Sequence, residues 1–484
     1  MTEVQAIRFR KRTKIVATIG PASCSEAVLR EMIGNGLDVA RINFSHANYD
    51  DLEEWIKRIR RISKELDVPV AIMGDLRGPR VRVGEMQDGE IELQRGSTIK
   101  ILPDPVTGTP EKISSSLPEL VNDVDPGSAL LLDDGNLELR VSEKHDDGSF
   151  DCEVVRGGAL SSRRGINLPG RRVSLPSVTD KDKEDVVFCI RHAFDFLALS
   201  FVQTANDVQG LIDFLQSKAA NIPVISKIEK KGALEDIEAI VEVSYGVMVA
   251  RGDLALEMSL QDVPIAQKRI ITACRQAAKP VITATQMLES MTSNHKPTRA
   301  EAADVANAIL DGTDAVMLSG ESAIGKFPAL TVHTMTQIAC RAEEAMLNGE
   351  LPALIPLPDS KKMEETVAYA TNIVARRLDA KAIIAFTTSG STPRLIAMHR
   401  PPVPILALSS NLATRRRMVL SWGVRPVQTD EVLGTAHMVH MAYEYSRDHC
   451  HATTGDIIII AAGTPYGVAG NTNLMKVEVI PPEE

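Results

Sequence analysis

Five residues able to do chemistry stand at the ends of short apolar runs: Arg41, Lys227, Glu229, Asp253 and Thr285. Glu229 and Asp253 offer two hard oxygen ligands, a set suited to Mg2+ or Mn2+ with water and substrate oxygens completing the octahedron. Arg41 and Lys227 bring fixed positive charge, which is what a phosphoryl group in transit requires; its transfer needs positioning and neutralisation rather than covalent help from the protein. Lys227 and Glu229 lie two apart on a strand and therefore point to the same side. A salt bridge at a rim would explain any one of these residues, but five such residues at strand ends favour phosphoryl transfer on a metal-bound anion.

Other segments extend the set. In Val249-Ala250-Arg251-Gly252-Asp253 small residues leave backbone N–H groups of Ala250 to Asp253 open to a substrate carboxylate, at the expected start of a short helix. Thr285 opens a run to Met291 in which the hydroxyl is the chemical group and the methionines are core packing. Ser319 is read as a helix cap or as a proton relay. Gly320 to Lys326 has the glycine and lysine spacing of a P-loop, but Phe327 stands where a hydroxyl must ligate Mg2+, which excludes a nucleotide site of that type. Thr387-Thr388-Ser389-Gly390-Ser391-Thr392 gathers hydroxyls and backbone donors suited to a second, regulatory phosphate, with Gly463 to Asn473 expected beside it.

The elements that must position these residues are legible as β-branched runs beginning near Lys14, Val39, Pro69, Phe196, Pro223, Gly246, Pro280 and Asp314. Continuous apolar strands separated by segments of helical spacing predict an α/β fold, a (β/α)8 barrel whose strand ends form the site. The first such helix is expected to be capped by Ser25 and to exit through Gly34 and Gly36. The third interval between strands exceeds the others by roughly a hundred residues, the mark of an insertion. Within it, alternating residues around Asp88-Gly89, Asp134-Gly135 and Asp147-Gly148 predict antiparallel β-structure, placed as a lid over the barrel mouth. The expected division is 1–78 and 172–350 for the barrel, 79–171 for a β-barrel-like lid, a proline-rich linker over 351–359, and 360–484 for an open α/β domain.

A hydrophobic share of 44% and a charged share of 24% describe an ordinary globular chain, and a net charge of -10 disfavours nucleic acid as a partner. The basic run Arg8 to Lys14 is expected to be a solvated arm. The absence of a leader-like or bilayer-length apolar stretch predicts a cytoplasmic protein with no membrane partner. Six scattered cysteines read as buried free thiols.

The segments Thr13-Lys14-Ile15-Val16-Ala17-Thr18-Ile19-Gly20-Pro21, Arg41-Ile42-Asn43-Phe44-Ser45-His46, Met248 to Leu254, Ile282 to Met291 and Pro297-Thr298-Arg299-Ala300-Glu301 resemble signature segments of pyruvate kinases, and the domain order resembles theirs over nearly the whole chain. The resemblance implies transfer of phosphate from phosphoenolpyruvate to ADP, giving pyruvate and ATP. It implies Lys227 bridging the moving group, Arg41 holding phosphate, Glu229 and Asp253 binding Mg2+, and Thr285 with Ser319 protonating the enolate. By the same likeness Asn43, His46, Arg82 and Arg164 contact the nucleotide, Asn43, Ser45, Asp75 and Leu76 occupy the monovalent-cation positions, and the protein is a homotetramer with a phosphorylated effector, a sugar phosphate or AMP, at Thr387 to Thr392.

Three positions depart from the family pattern. Arg80 and Leu76 stand where potassium-dependent relatives carry glutamate and threonine, so a guanidinium is expected to replace the cation and make K+ unnecessary. Arg164 replaces a lid lysine. Lys230-Lys231 follow Glu229 where asparagine and an uncharged or acidic residue are common. Two other readings use the same residues: a barrel lyase acting on pyruvate or oxaloacetate, against which Lys227 argues, and a catalytically silent metabolite sensor, against which the intact site set argues.

Overall fold

The structure, a computed structural model, describes residues 10–44, 48–171, 176–350, 360–466 and 470–482. Eight parallel strands close into a barrel: Lys14–Ile19, Val39–Asn43, Ala71–Asp75, Phe196–Leu199, Val224–Ile228, Gly246–Ala250, Val281–Ala284 and Ala315–Leu318. Each pairs with its chain neighbours, and the first closes on the eighth with Lys14 opposite Ala315. The eight starts lie within two residues of those expected from the sequence, because a strand buried on both faces cannot interrupt its apolar run.

Side-chain alternation divides the strands into two cores. Ile15, Ala17, Ala40, Ile42, Ile72 and Leu197 face the helices. Val16, Val39, Ala71, Met73, Phe196, Ala198, Ile225, Met248, Ile282, Ala315 and Met317 fill the interior, and Val419 and Leu420 of the C-terminal domain close its base. The residue two beyond each inward side chain also points inward. That rule carries Arg41, Asp75, Lys227 and Ser319 to the mouth.

The first helix, Glu26–Gly34, starts where expected, with Ser25 accepting the N–H of Val28, but it runs through Gly34. Only Gly36 takes the left-handed exit, at φ +113°. Met287 and Met291 are fully buried, as packing residues should be.

Between the third and fourth barrel strands lie a seven-stranded and a two-stranded sheet around their own apolar core. Asp88, Asp134, Gly135 and Gly148 all have positive φ at their turns. The inserted unit leaves through Val81–Arg82 and returns through Gly165–Asn167, and these segments pair antiparallel with Arg82 opposite Gly165. The C-terminal domain is a five-stranded sheet, parallel but for its edge strand Leu474–Val479.

The basic run near the N-terminus is not a solvated arm where it is described. Lys11 is buried in an ion pair with Asp38, Lys14 donates to the Val424 carbonyl at 2.7 Å, and Arg12 lies over the Trp422 ring. Arg12 and Lys14 join the barrel base to the C-terminal domain, which a charge pattern alone does not reveal. The cysteines are free, with Cys152, Cys189, Cys274 and Cys450 buried and Cys24 and Cys340 half-buried. No helix among the described residues is long and apolar enough to cross a membrane.

Candidate active site at the barrel mouth

Lys227, on the fifth strand, ends in a ring of oxygens. Its Nζ lies 2.7 Å from Ser200 Oγ, 3.2 Å from Asp75 Oδ1 and 2.8 Å from Glu229 Oε1. Asp75 takes a second cation on its other oxygen, Arg41 Nε at 2.6 Å, and Arg41 Nη1 donates to Thr18 Oγ1 at 2.7 Å. The second, third and fifth strands thus place two cations around one buried carboxylate.

Burial opposes every charge in this group, and the partners decide the outcome. Burial alone would raise the Asp75 carboxyl, but Arg41 and Lys227 outweigh it and hold its pKa below the usual range. Burial likewise opposes the Lys227 ammonium, yet Asp75 and Glu229 raise its pKa, so it remains charged. Glu229 differs: burial raises its pKa and Asp253 adds repulsion, only partly offset by Lys227.

Glu229 Oε2 accepts the N–H of Phe201 at 2.7 Å, while Oε1 sits near Lys227 without hydrogen-bond geometry and has no hydrogen-bond partner. A fully buried carboxylate oxygen in that condition suits a divalent cation. Among the described residues no group of three or more His, Cys, Asp or Glu could hold a metal, and the second carboxylate whose charge Glu229 feels is Asp253. A pair fits an ion that keeps water or substrate oxygens, not one caged by protein alone.

Asp253 belongs to the helix Arg251–Glu257, which starts directly after the sixth strand. Arg251 is spent on structure, donating to the carbonyls of Ala284 and Thr285 and pairing with Asp304 at 2.7 Å. This clamp holds Thr285 at φ +67°, where its hydroxyl donates to the Ala284 carbonyl and accepts the Gly252 N–H at 2.8 Å. Ser319 precedes the short helix Gly320–Ala323, and its side chain makes no capping bond.

Residues 10–332 match the family model "Pyruvate kinase, barrel domain", and residues 365–478 match "Pyruvate kinase, alpha/beta domain". The chain belongs to the pyruvate kinase family. It is 45% identical to a pyruvate kinase of Staphylococcus aureus (strain MRSA252) over 97% of this chain and 80% of that protein, and 43% identical to one of Geobacillus stearothermophilus over 98% and 81%. The crystal structure of a pyruvate kinase from Cryptosporidium parvum superposes with a TM-score of 0.90 at 35% identity, covering 99% of this chain and 97% of that one. As a pyruvate kinase, the protein is a phosphotransferase.

The remaining residues expected at the site are distributed as follows. Asn43 lies opposite Asp75 in register, while Ser45 and His46 fall outside the described residues. Leu76 is buried among the helix-facing side chains, one residue out of phase with Asp75, and its carbonyl oxygen accepts the Ser200 hydroxyl at 2.8 Å. Arg80 does not reach Asp75's ion pairs; its guanidinium lies over the Phe201 ring, 5.6 Å from the centroid, in the cleft shared with Asp134 and Asp253. Arg82 and Arg164 are held within the inserted unit, Arg82 donating to the Arg163 carbonyl and Arg164 pairing with Asp133.

Ser200 and Thr18 were missed by reasoning from the sequence. Each is the hydroxyl residue at the end of a barrel strand, inward by alternation, and that phase was the available signal. The loop Thr387 to Thr392 follows the central strand Ala382–Phe386 of the C-terminal sheet and borders a hollow with Gly463, Tyr466, Gly470 and Asn471. Asp430 and Glu431 complete its wall, and none of the described lining residues is Lys or Arg.

Proposed function

We propose that the chain transfers the phosphoryl group of phosphoenolpyruvate to ADP at the barrel mouth, with barrel (1–78 and 172–350), lid (79–171) and regulatory domain (360–484) as its working parts. The observation that carries the reading is Lys227, a buried ammonium braced by Asp75, Ser200 and Glu229 beside Arg41. Arg41 binds the phosphate of the substrate, and Lys227 neutralises its oxygens as the bond to the enol oxygen breaks and the bond to ADP forms. Glu229 and Asp253 would hold Mg2+ or Mn2+, which when bound supplies further neutralisation of phosphate and enolate oxygens. The backbone of Ala250 to Asp253 receives the substrate carboxylate once the Gly252 N–H leaves the Thr285 hydroxyl, and that hydroxyl, with Ser319, returns a proton to the enolate carbon to give pyruvate.

Asn43, His46, Arg82 and Arg164 bind the nucleotide, with Arg82 and Arg164 brought in by the lid. Potassium is dispensable, since Asp75 already carries two cations. A phosphorylated effector, a sugar phosphate or AMP, occupies the Thr387 to Thr392 loop; a wall containing two carboxylates favours a single phosphate with hydroxyls over a doubly phosphorylated ligand. The enzyme works as a cytoplasmic homotetramer.

A coupled assay of ATP formation from phosphoenolpyruvate and ADP tests the reading. Lys227→Ala should lower kcat by at least about a hundredfold, the scale of losing one preorganised donor to developing charge. A variant that kept full turnover would remove Lys227 from the mechanism.

A further inference from the structure

Lys230 is one of the positions where this chain departs from the pattern of its family, and it directly follows Glu229. It is 8% exposed, and its ammonium is ion-paired with Glu257, itself buried. Glu257 ends the helix whose third residue is Asp253. Its other oxygen accepts the N–H of Gly170 at 3.1 Å, and Gly170, at φ +69°, lies where the chain returns from the inserted unit. Leu256 of the same helix seats the turn at Gly135, where an added Cβ would come within 3.0 Å of Leu256 Cδ2.

The outgoing crossing rests on the same place. A Cβ on Gly78 would lie 2.9 Å from a ring carbon of Phe201. That ring carries Arg80 at 5.6 Å on the way out and the Lys230 ammonium at 5.9 Å. Phe201, held at φ +57°, donates its N–H to Glu229 Oε2. Both chain crossings of the inserted unit therefore lean on Lys230, Phe201 and Glu257: Lys230 adjoins Glu229, Phe201 donates to it, and Glu257 shares a helix with Asp253.

We propose that Lys230 is a positioning residue that couples the seating of the inserted unit to the placement of Glu229 and Asp253, an inference that rests on the reading of those two carboxylates as the metal pair. An ammonium and a carboxylate taken out of water persist only while paired. Removing Lys230 leaves Glu257 charged and buried, so its helix must turn toward solvent. That movement carries Asp253 with it and releases the Gly170 N–H.

The test uses the full chain and two readouts that do not depend on turnover: Mn2+ binding to the resting enzyme by electron paramagnetic resonance, and hydrogen exchange of peptides spanning residues 78–84 and 165–171. Lys230→Met and Glu257→Gln should each raise the Mn2+ concentration for half-saturation about tenfold and speed exchange in both peptides, and the double variant should be no worse than either single one. Lys230→Arg, which keeps the charge, should restore most of the binding, and it carries the test together with Glu257→Gln if Lys230→Met does not fold. Unchanged Mn2+ binding or unchanged exchange in folded Lys230→Met or Glu257→Gln, even with a lowered Tm, would overturn the proposal and leave a plain structural ion pair. Wild-type enzyme that binds Mn2+ but makes no ATP from phosphoenolpyruvate would instead sink the catalytic reading, and wild type that binds no Mn2+ would sink both.

Discussion

Arg400 Nη1 of the C-terminal domain lies 2.8 Å from Asp314 Oδ1, immediately before the eighth barrel strand. Asp314 also accepts the N–H groups of Trp422 and Val281, and Arg400 lies over the Trp422 ring. Arg400 follows the helix Ser391–Ala397, which starts within the hydroxyl-rich loop, while Ser319 lies just past the far end of the eighth strand. One buried ion pair thus stands between the two phosphate-binding regions proposed above.

Replacing Arg400 with alanine leaves the Asp314 carboxylate buried and short of a partner. We expect a loss of about 3–5 kcal/mol in unfolding free energy, the usual scale for breaking such a pair, together with a weaker response to effector. Urea denaturation followed by tryptophan fluorescence measures the first, and the ratio of turnover with and without effector the second.

Potassium should have little effect. In tetramethylammonium buffer, turnover is expected to change by less than about twofold on adding K+, because Arg41 and Lys227 already neutralise Asp75 without an added ion. A large recovery on adding K+ would disprove this.

His399 sets a pH window for stability. Burial first, and Arg275 second, push its imidazole from 6.5 down to about 4, and its Nε2 has no hydrogen-bond partner. The folded state therefore favours the neutral ring. The resulting contribution is present above pH 6.5 and is lost as pH falls toward and through about 4, since the unfolded chain takes up the proton first. His399→Asn should flatten the fall in urea midpoint across that interval.

The hydroxyl loop can be tested apart from catalysis. AMP or a hexose monophosphate should raise the Tm of the wild type, and Ser389→Asp should abolish the shift while leaving ATP formation without effector intact. A shift of equal size in the variant would place the effector elsewhere.

The barrel was legible because its physics is repetitive: eight apolar runs, each ending in a polar residue. Arg41, Asp75, Lys227 and Glu229 could be found because alternation fixes which side chains face inward. What escaped the sequence depends on contacts between distant segments. Lys11 and Lys14 read as solvated charge until Asp38 and the Val424 carbonyl meet them, and Arg80 was expected at Asp75 but lies over Phe201. Leu76, next to Asp75, turns its side chain toward the helices, as alternation requires.

The inserted unit enters and leaves as a paired ribbon, with Arg82 opposite Gly165. Its two chain crossings are therefore about one interstrand spacing apart, roughly 5 Å. A gap that small can be bridged by a few residues at slight entropic cost. The β-unit is thus a removable cassette: a barrel rejoined between Arg82 and Gly165, without residues 83–164, should still close, and lids from related enzymes can be exchanged at the same two points.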